Sequence, residues 1–154
     1  MSAAGPVEPV PEGLYLLRNI GSGLVLEVYG GAKGSGAKVQ QGAETGAASQ
    51  HWRIAPVHEG ASLYHVVNAH SGKRLDVANA DTENGARIQQ WKANNFGAQE
   101  WLVERHLDPA APGTVTLTAF ISGLALEVDE AGDARQWEDT DSPAQWWRLE
   151  PVKE

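Results

Sequence analysis

One seven-residue pattern occurs three times in this chain, and that repetition constrains the fold more than any other feature. Ser22-Gly23-Leu24-Val25-Leu26-Glu27-Val28 aligns with Ser71-Gly72-Lys73-Arg74-Leu75-Asp76-Val77 and with Ser122-Gly123-Leu124-Ala125-Leu126-Glu127-Val128. Each copy is followed by a Gln-x-Trp closure: Gln50-His51-Trp52, Gln99-Glu100-Trp101 and Gln145-Trp146-Trp147. The offsets repeat as well. Glu27 to Gln50 and Asp76 to Gln99 each span 23 positions, whereas Glu127 to Gln145 spans 18, so the third copy is five residues shorter there. The closing tryptophans stand 49 and 46 positions apart. Upstream, Leu14–Asn19 aligns with Leu63–Asn68. Three related units, 13–57, 61–106 and 114–152, therefore make one domain of a 154-residue chain. Residues 1–12, with Pro6, Pro9 and Pro11, read as a flexible lead-in.

Each unit divides into short runs with period-two or β-branched character, separated by Gly, Ser, Asn and Asp turns. In the second unit these runs fall near Leu63–Val67, Arg74–Val77, Arg87–Trp91 and Glu100–Glu104. No stretch carries a 3.6-residue apolar stripe of helical length. Four strands in each of three units predict about twelve strands. Units this small cannot bury a face alone and must close on one another around a shared core. An open solenoid needs capped ends and a propeller needs four or more blades. The expected fold is all-β, a β-trefoil of three pseudo-repeats.

Three Leu-Asp/Glu-Val motifs, each followed at matching offset by Gln-x-Trp, resemble the ricin B-type (R-type) lectin family over roughly Gly13 to Val152. The resemblance implies a β-trefoil with one potential sugar site per repeat, a galactose or N-acetylgalactosamine type of ligand, and no enzymatic activity or cofactor.

A sugar is held by an aromatic face stacked on its C–H side and by groups that take its hydroxyls. The second repeat offers both. Asp76 is an acceptor-only carboxylate on a short stem, and Trp91 ends the run Arg87-Ile88-Gln89-Gln90-Trp91 fifteen positions later. By the resemblance, Asp76 matches the sugar-binding acid, Trp91 the stacking aromatic, and Gln89 and Gln99 the glutamines around the site. The family often carries Asn directly before the closing Gln. Here that residue is Ala98, and Asn94 and Asn95 in the preceding turn are the candidates to replace its amide.

In the third repeat Trp137 stands eight residues before Gln145, as Trp91 stands eight before Gln99. Glu127, Trp137 and Gln145 form a possible second carbohydrate site. It is altered by a longer acid, by Ala144 in the amide position and by the shortened loop. The first repeat has Glu27 as its acid and Gly42 at the platform position, which gives no stacking surface. The expectation is one good site, one doubtful site and one dead site.

Plainer readings stand beside these. Trp52, Trp101 and Trp147 suit the core of the domain. The glutamines beside them suit backbone groups in their turns. Trp91 and Trp137 are read either as platforms or as packing residues, and Asp76 either as the sugar acid or as the brace of a tight turn. The acidic group Asp129, Glu130, Asp133, Glu138, Asp139 and Asp141 lacks the ligand order of an EF-hand and reads as a solvated face. His51, His58, His65, His70 and His106 show no metal-binding spacing.

Composition closes other routes. Twelve Lys+Arg against 20 Asp+Glu give a net charge of −8, which offers no basic patch for nucleic acid. No apolar run approaches the roughly 18 residues that span a bilayer. With no Cys there is no thiolate metal site or cysteine nucleophile. The partners expected are glycans or glycoconjugates, without nucleic acid or membrane insertion. A chain with one good site cross-links glycans only as a homodimer or through a second working site. Absence of Cys and of a visible signal segment reads as cytoplasmic, with non-standard secretion as the other route. The rival function is a β-trefoil that binds protein through its loops, such as a protease inhibitor.

Overall fold

The computed structural model describes residues 10–105 and 113–154. Twelve strands form, four in each repeat. The first repeat holds β1 (Gly13–Asn19), β2 (Val25–Val28), β3 (Val39–Gly42) and β4 (Trp52–Pro56). The second holds β5 (Leu63–Asn68), β6 (Arg74–Val77), β7 (Ile88–Trp91) and β8 (Trp101–Arg105). The third holds β9 (Thr114–Ala119), β10 (Ala125–Val128), β11 (Ala134–Trp137) and β12 (Trp147–Pro151).

The first and last strands of each repeat pair in the cyclic order β1-β4-β5-β8-β9-β12 and return to β1, a closed barrel of six antiparallel strands. The two middle strands of each repeat form a hairpin outside it: β2–β3, β6–β7 and β10–β11. Single bridges join the three hairpins to one another, Lys38 to Gln89, Gln40 to Asp133 and Arg87 to Arg135. A closed barrel capped by a triangle of hairpins is the β-trefoil expected from the repeats. It leaves the barrel strands without a free edge.

The repeated motifs have structural reasons. In each Ser-Gly pair the glycine sits at φ of 72–76°, a left-handed conformation that glycine adopts without a Cβ penalty. The serine hydroxyl accepts the N–H of Leu24, Lys73 or Leu124. It donates in turn to a glutamine of the same repeat, Gln41, Gln90 or Gln136. The Gln-x-Trp tryptophans are fully buried. Their indole N–H groups donate to the carbonyls of Leu26, Leu75 and Leu126 at 3.0–3.1 Å, so each closing ring is tied to the Leu-x-Val strand of its own repeat. Removing a buried ring of this size costs about 3–5 kcal/mol. The core reading of these three residues is therefore the one observed.

The packed chain begins ahead of Gly13. Val10 is buried beside Tyr64 and donates its N–H to the Tyr64 hydroxyl, while the Tyr15 hydroxyl donates to the Pro11 carbonyl. Residues 1–9 of the lead-in, and His106 at the end of the second unit, lie outside the described residues.

Candidate functional site

In the second repeat β6 and β7 pair with Asp76 directly opposite Gln89. The pleat turns Leu75 and Val77 into the core and Asp76 to the other face, where it forms the floor of a pocket. Asp76 is only 5% exposed. Its two carboxylate oxygens take one amide each: Gln89 Nε2 donates to Oδ1 at 3.1 Å, and Gln99 Nε2 donates to Oδ2 at 3.0 Å. An ionised carboxylate has about four acceptor positions, so capacity for a ligand remains. Burial pushes the Asp76 carboxyl above its ordinary value, against the opposing pull of the Gln99 and Gln89 amides. No backbone N–H bond to this carboxylate is found among the described residues, so the turn-brace reading gives way to a carboxylate cradled by two side-chain amides.

Gln99 is fully committed. Its remaining amide hydrogen goes to the Lys92 carbonyl, and its Oε1 accepts from Asn94 N–H and, more weakly, from Arg74 Nη1. It holds the turn and the acid together without itself lining the pocket. On β7 the alternation sends Gln89 and Trp91 to the pocket and Gln90 to the opposite side. There Gln90 Nε2 clamps the carbonyls of Ala32 and Gly34 in the first repeat. The strand end that carries Trp91 is thus anchored across a repeat boundary, and Trp91 remains 36% exposed.

The pocket has a volume of about 350 Å³. Asp76, Gln89, Trp91 and Asn94 line it, as the spacing led one to expect, but Asn95 does not. Asn94 spends its Oδ1 on the N–H of Phe96, fixing the turn locally. Asn95 extends into solvent at the tip of that turn. Five lining residues were not among the candidates: Val77, Asn79, Ala80, Phe96 and Ala98. Asn79 and Ala80 hold left-handed φ values of 59° and 51°, where the first repeat has Gly30 and Gly31 at 65° and 64°. Such backbone strain in non-glycine residues gathers at ligand sites. A comparison of the repeats at these positions, glycine against Asn-Ala, was the available signal.

The third repeat assembles Glu127, Trp137 and Gln145 but closes them on one another. β10 and β11 pair with Glu127 opposite Arg135, where the second repeat has Gln89. Arg135 Nε donates to Glu127 Oε2 at 2.7 Å, and its guanidinium lies over the Trp137 ring, 4.4 Å from the centroid. Gln145 Nε2 takes the other carboxylate oxygen at 2.9 Å. The three residues of the possible second site do come together, but the Arg135 guanidinium occupies both the acid and the ring face. The five missing residues fall in the hairpin loop, where the second repeat has the 3-10 turn Ala78–Ala80 and the third has a tight turn closed on Asp129.

In the first repeat Glu27 accepts from Gln40 Nε2 at 2.8 Å and from Gln50 Nε2 at 2.9 Å, the same two-amide cradle. Its carboxylate lies over Gly42. A Cβ at that residue would fall 2.6 Å from Glu27 Oε2, so the longer acid fills the place of a platform ring.

A three-hairpin-capped barrel with an acid-and-tryptophan pocket in one repeat defines a β-trefoil binding domain. Its sequence matches the family described as ricin-type beta-trefoil lectin domain-like over residues 6–91, and the chain belongs to that family. Membership in a lectin family supports carbohydrate binding as the class of activity. A search of curated protein sequences finds no match. Among solved structures, the designed three-fold symmetric protein ThreeFoil is 32% identical with a TM-score of 0.82, over 91% of this chain and 99% of that one. The exo-β-1,3-galactanase 1,3Gal43A from Clostridium thermocellum is 27% identical with a TM-score of 0.83. The match covers 94% of this chain but 31% of that enzyme. The ricin B-like lectin of Macrolepiota procera, solved with lactose, shares the fold at 17% identity and a TM-score of 0.76, over 94% of this chain and all of that one.

Proposed function

We propose that this protein is a lectin with one working site, in the second repeat, which binds a terminal sugar of galactose or N-acetylgalactosamine type. The observation that carries the reading is the pocket itself. A half-open Trp91 ring, a buried carboxylate with acceptor capacity to spare and the Gln89 amide converge on one cavity of about 350 Å³. The sugar ring stacks its C–H face on Trp91 while two adjacent hydroxyls donate to Asp76. Gln99 keeps the carboxylate in place from behind, and the Asn94 amine is free to take a further hydroxyl once its Oδ1 is spent on Phe96. The choice of a galactosyl ligand is supported by the similarity to a domain of an enzyme named as a β-1,3-galactanase. A shallow single site of this kind binds on the order of 0.1–1 mM, and strength on cell-surface glycans then comes from multivalency.

The test is binding of the purified chain to a broad immobilised glycan panel, followed by calorimetry on the best hit. Hits sharing a terminal galactose or N-acetylgalactosamine, at one sugar per chain, are expected. Silence across the panel from a folded protein overturns the lectin reading.

A further inference from the structure

The three repeats place a residue of the same backbone role before their closing 3-10 turns: Ala47, Phe96 and Ser142. All three are extended N-caps of a turn that ends on the closing glutamine. Alanine and serine perform that role in two repeats, so the turn does not ask for an aromatic ring. Neither does the core, because Phe96 is 69% exposed. An isolated exposed apolar residue needs no explanation, but this one lines the pocket that holds Asp76 and Trp91, in the one repeat where that pocket is open. Its backbone is pinned from both sides. The Phe96 N–H donates to Asn94 Oδ1 at 3.0 Å, and its carbonyl accepts from Gln99 N–H. The two residues that hold the ring's backbone are thus one pocket residue and the amide that holds the acid.

A second exposed ring continues this surface. Phe120, 55% exposed, packs against Gly97, the residue after Phe96: a Cβ on Gly97 would lie 3.1 Å from its ring. Its backbone is fixed by the bond from Phe120 N–H to the Glu100 carbonyl. The cavity of about 350 Å³ lies in the ordinary size range of small-molecule sites, roughly 300–1,000 Å³, and Phe96 stands on its exposed side.

We infer that the pocket is built for at least two sugar residues, with Phe96 as the stacking surface for the second ring, the one that follows the terminal sugar held by Trp91 and Asp76. The ligand class is then a disaccharide terminus or longer glycan chain rather than a free monosaccharide. This inference rests on the sugar reading of the same pocket. Phe96 acts as a specificity residue: it rewards a chain whose penultimate ring turns an apolar face toward it.

Calorimetric titration of the full chain with galactose and with the β-1,3-linked galactose disaccharide tests this. The wild-type protein is expected to bind the disaccharide roughly three- to tenfold more tightly than galactose, the scale of one added stacking contact. Phe96→Ala is expected to erase that gain, so that the variant binds the two sugars with equal affinity, and Phe96→Trp is expected to keep it. Equal wild-type affinity for the two sugars overturns the second subsite and leaves the galactose site standing. So does a loss of equal size for both sugars in Phe96→Ala. If neither sugar binds the folded wild-type protein, the galactose reading falls and this inference falls with it. Thermal melts of the variants confirm folding, which an exposed ring does not govern.

Discussion

The second and third repeats carry nearly the same ingredients and reach opposite outcomes. Each has an acid on its inner strand, a tryptophan at the end of the partner strand and a closing glutamine eight residues on. In the second repeat the residue across from the acid is Gln89, a neutral donor that steadies the carboxylate and leaves Trp91 open. In the third it is Arg135, which neutralises the acid and lies on the ring. The cross-strand neighbour thus decides whether the acid and the ring stay open to solvent or close into an internal salt bridge under a guanidinium, and the shorter turn removes the rim as well. The first repeat shows another route to the same end, since the extra methylene of Glu27 carries its carboxylate over Gly42.

The sharpest way to break this comparison is to remove the two platform rings one at a time. Trp91→Ala is expected to abolish measurable sugar binding, and Trp137→Ala to leave affinity and stoichiometry unchanged. Intrinsic fluorescence should follow the same division, with sugar-dependent change carried by Trp91. Retained affinity in Trp91→Ala would sink the site assignment. A loss in Trp137→Ala would mean that the Arg135 contact opens in solution.

Asp76 gives the next largest effect, and it separates function from stability. Its carboxyl titrates above the ordinary Asp value because burial disfavours the charge. The folded state thus holds its proton more tightly than the unfolded chain does. Stability from this group is lower at neutral pH and recovers as pH falls through the raised value. Asp76→Asn removes the buried charge, and Gln89 can turn its amide to match. The variant is expected to melt at or above the wild-type temperature while its sugar affinity drops at least about tenfold, the scale of a lost charge-assisted contact. In the wild type, affinity is expected to weaken on acidification, about tenfold per pH unit below the raised value. The decline should begin at a higher pH than an ordinary Asp would give. An affinity flat through the acid range would show that the carboxylate does not contact the sugar.

The fold was legible because its causes are local and repeated. Ser-Gly turns demand a left-handed residue and a short hydroxyl, and each Gln-x-Trp closure ties a turn to the strand before it. The open pocket was half legible. Asp76, Trp91, Gln89 and Gln99 were named through the resemblance that the repeats carry, but Phe96 and the Asn79-Ala80 rim belong to turns whose three-dimensional place no repeat announces. Asn95 failed for the converse reason, since two adjacent residues of like chemistry in a turn point in different directions. The closure of the third repeat was visible only as a shorter hairpin. Glu127 faces Arg135 in the same register that sets Asp76 against Gln89, so the closure comes from the residue at that place and not from a shifted pairing.

The smallest effect tests whether Arg135 alone closes the third repeat. The Glu127 carboxylate is buried and Arg135 about a third exposed, so their ion pair is partly screened. Arg135→Gln is expected to cost about 1 kcal/mol or less, a drop of a few degrees in Tm at most. Trp137 should become more accessible to acrylamide quenching as its guanidinium cover leaves. Sugar stoichiometry is expected to remain at one per chain, because the tight turn at Asp129 still lacks the rim that Asn79 and Ala80 provide in the second repeat. A rise to two sugars per chain would show that the rim is dispensable and that one arginine closed the site. The comparison would then narrow from a loop and a residue to the residue alone.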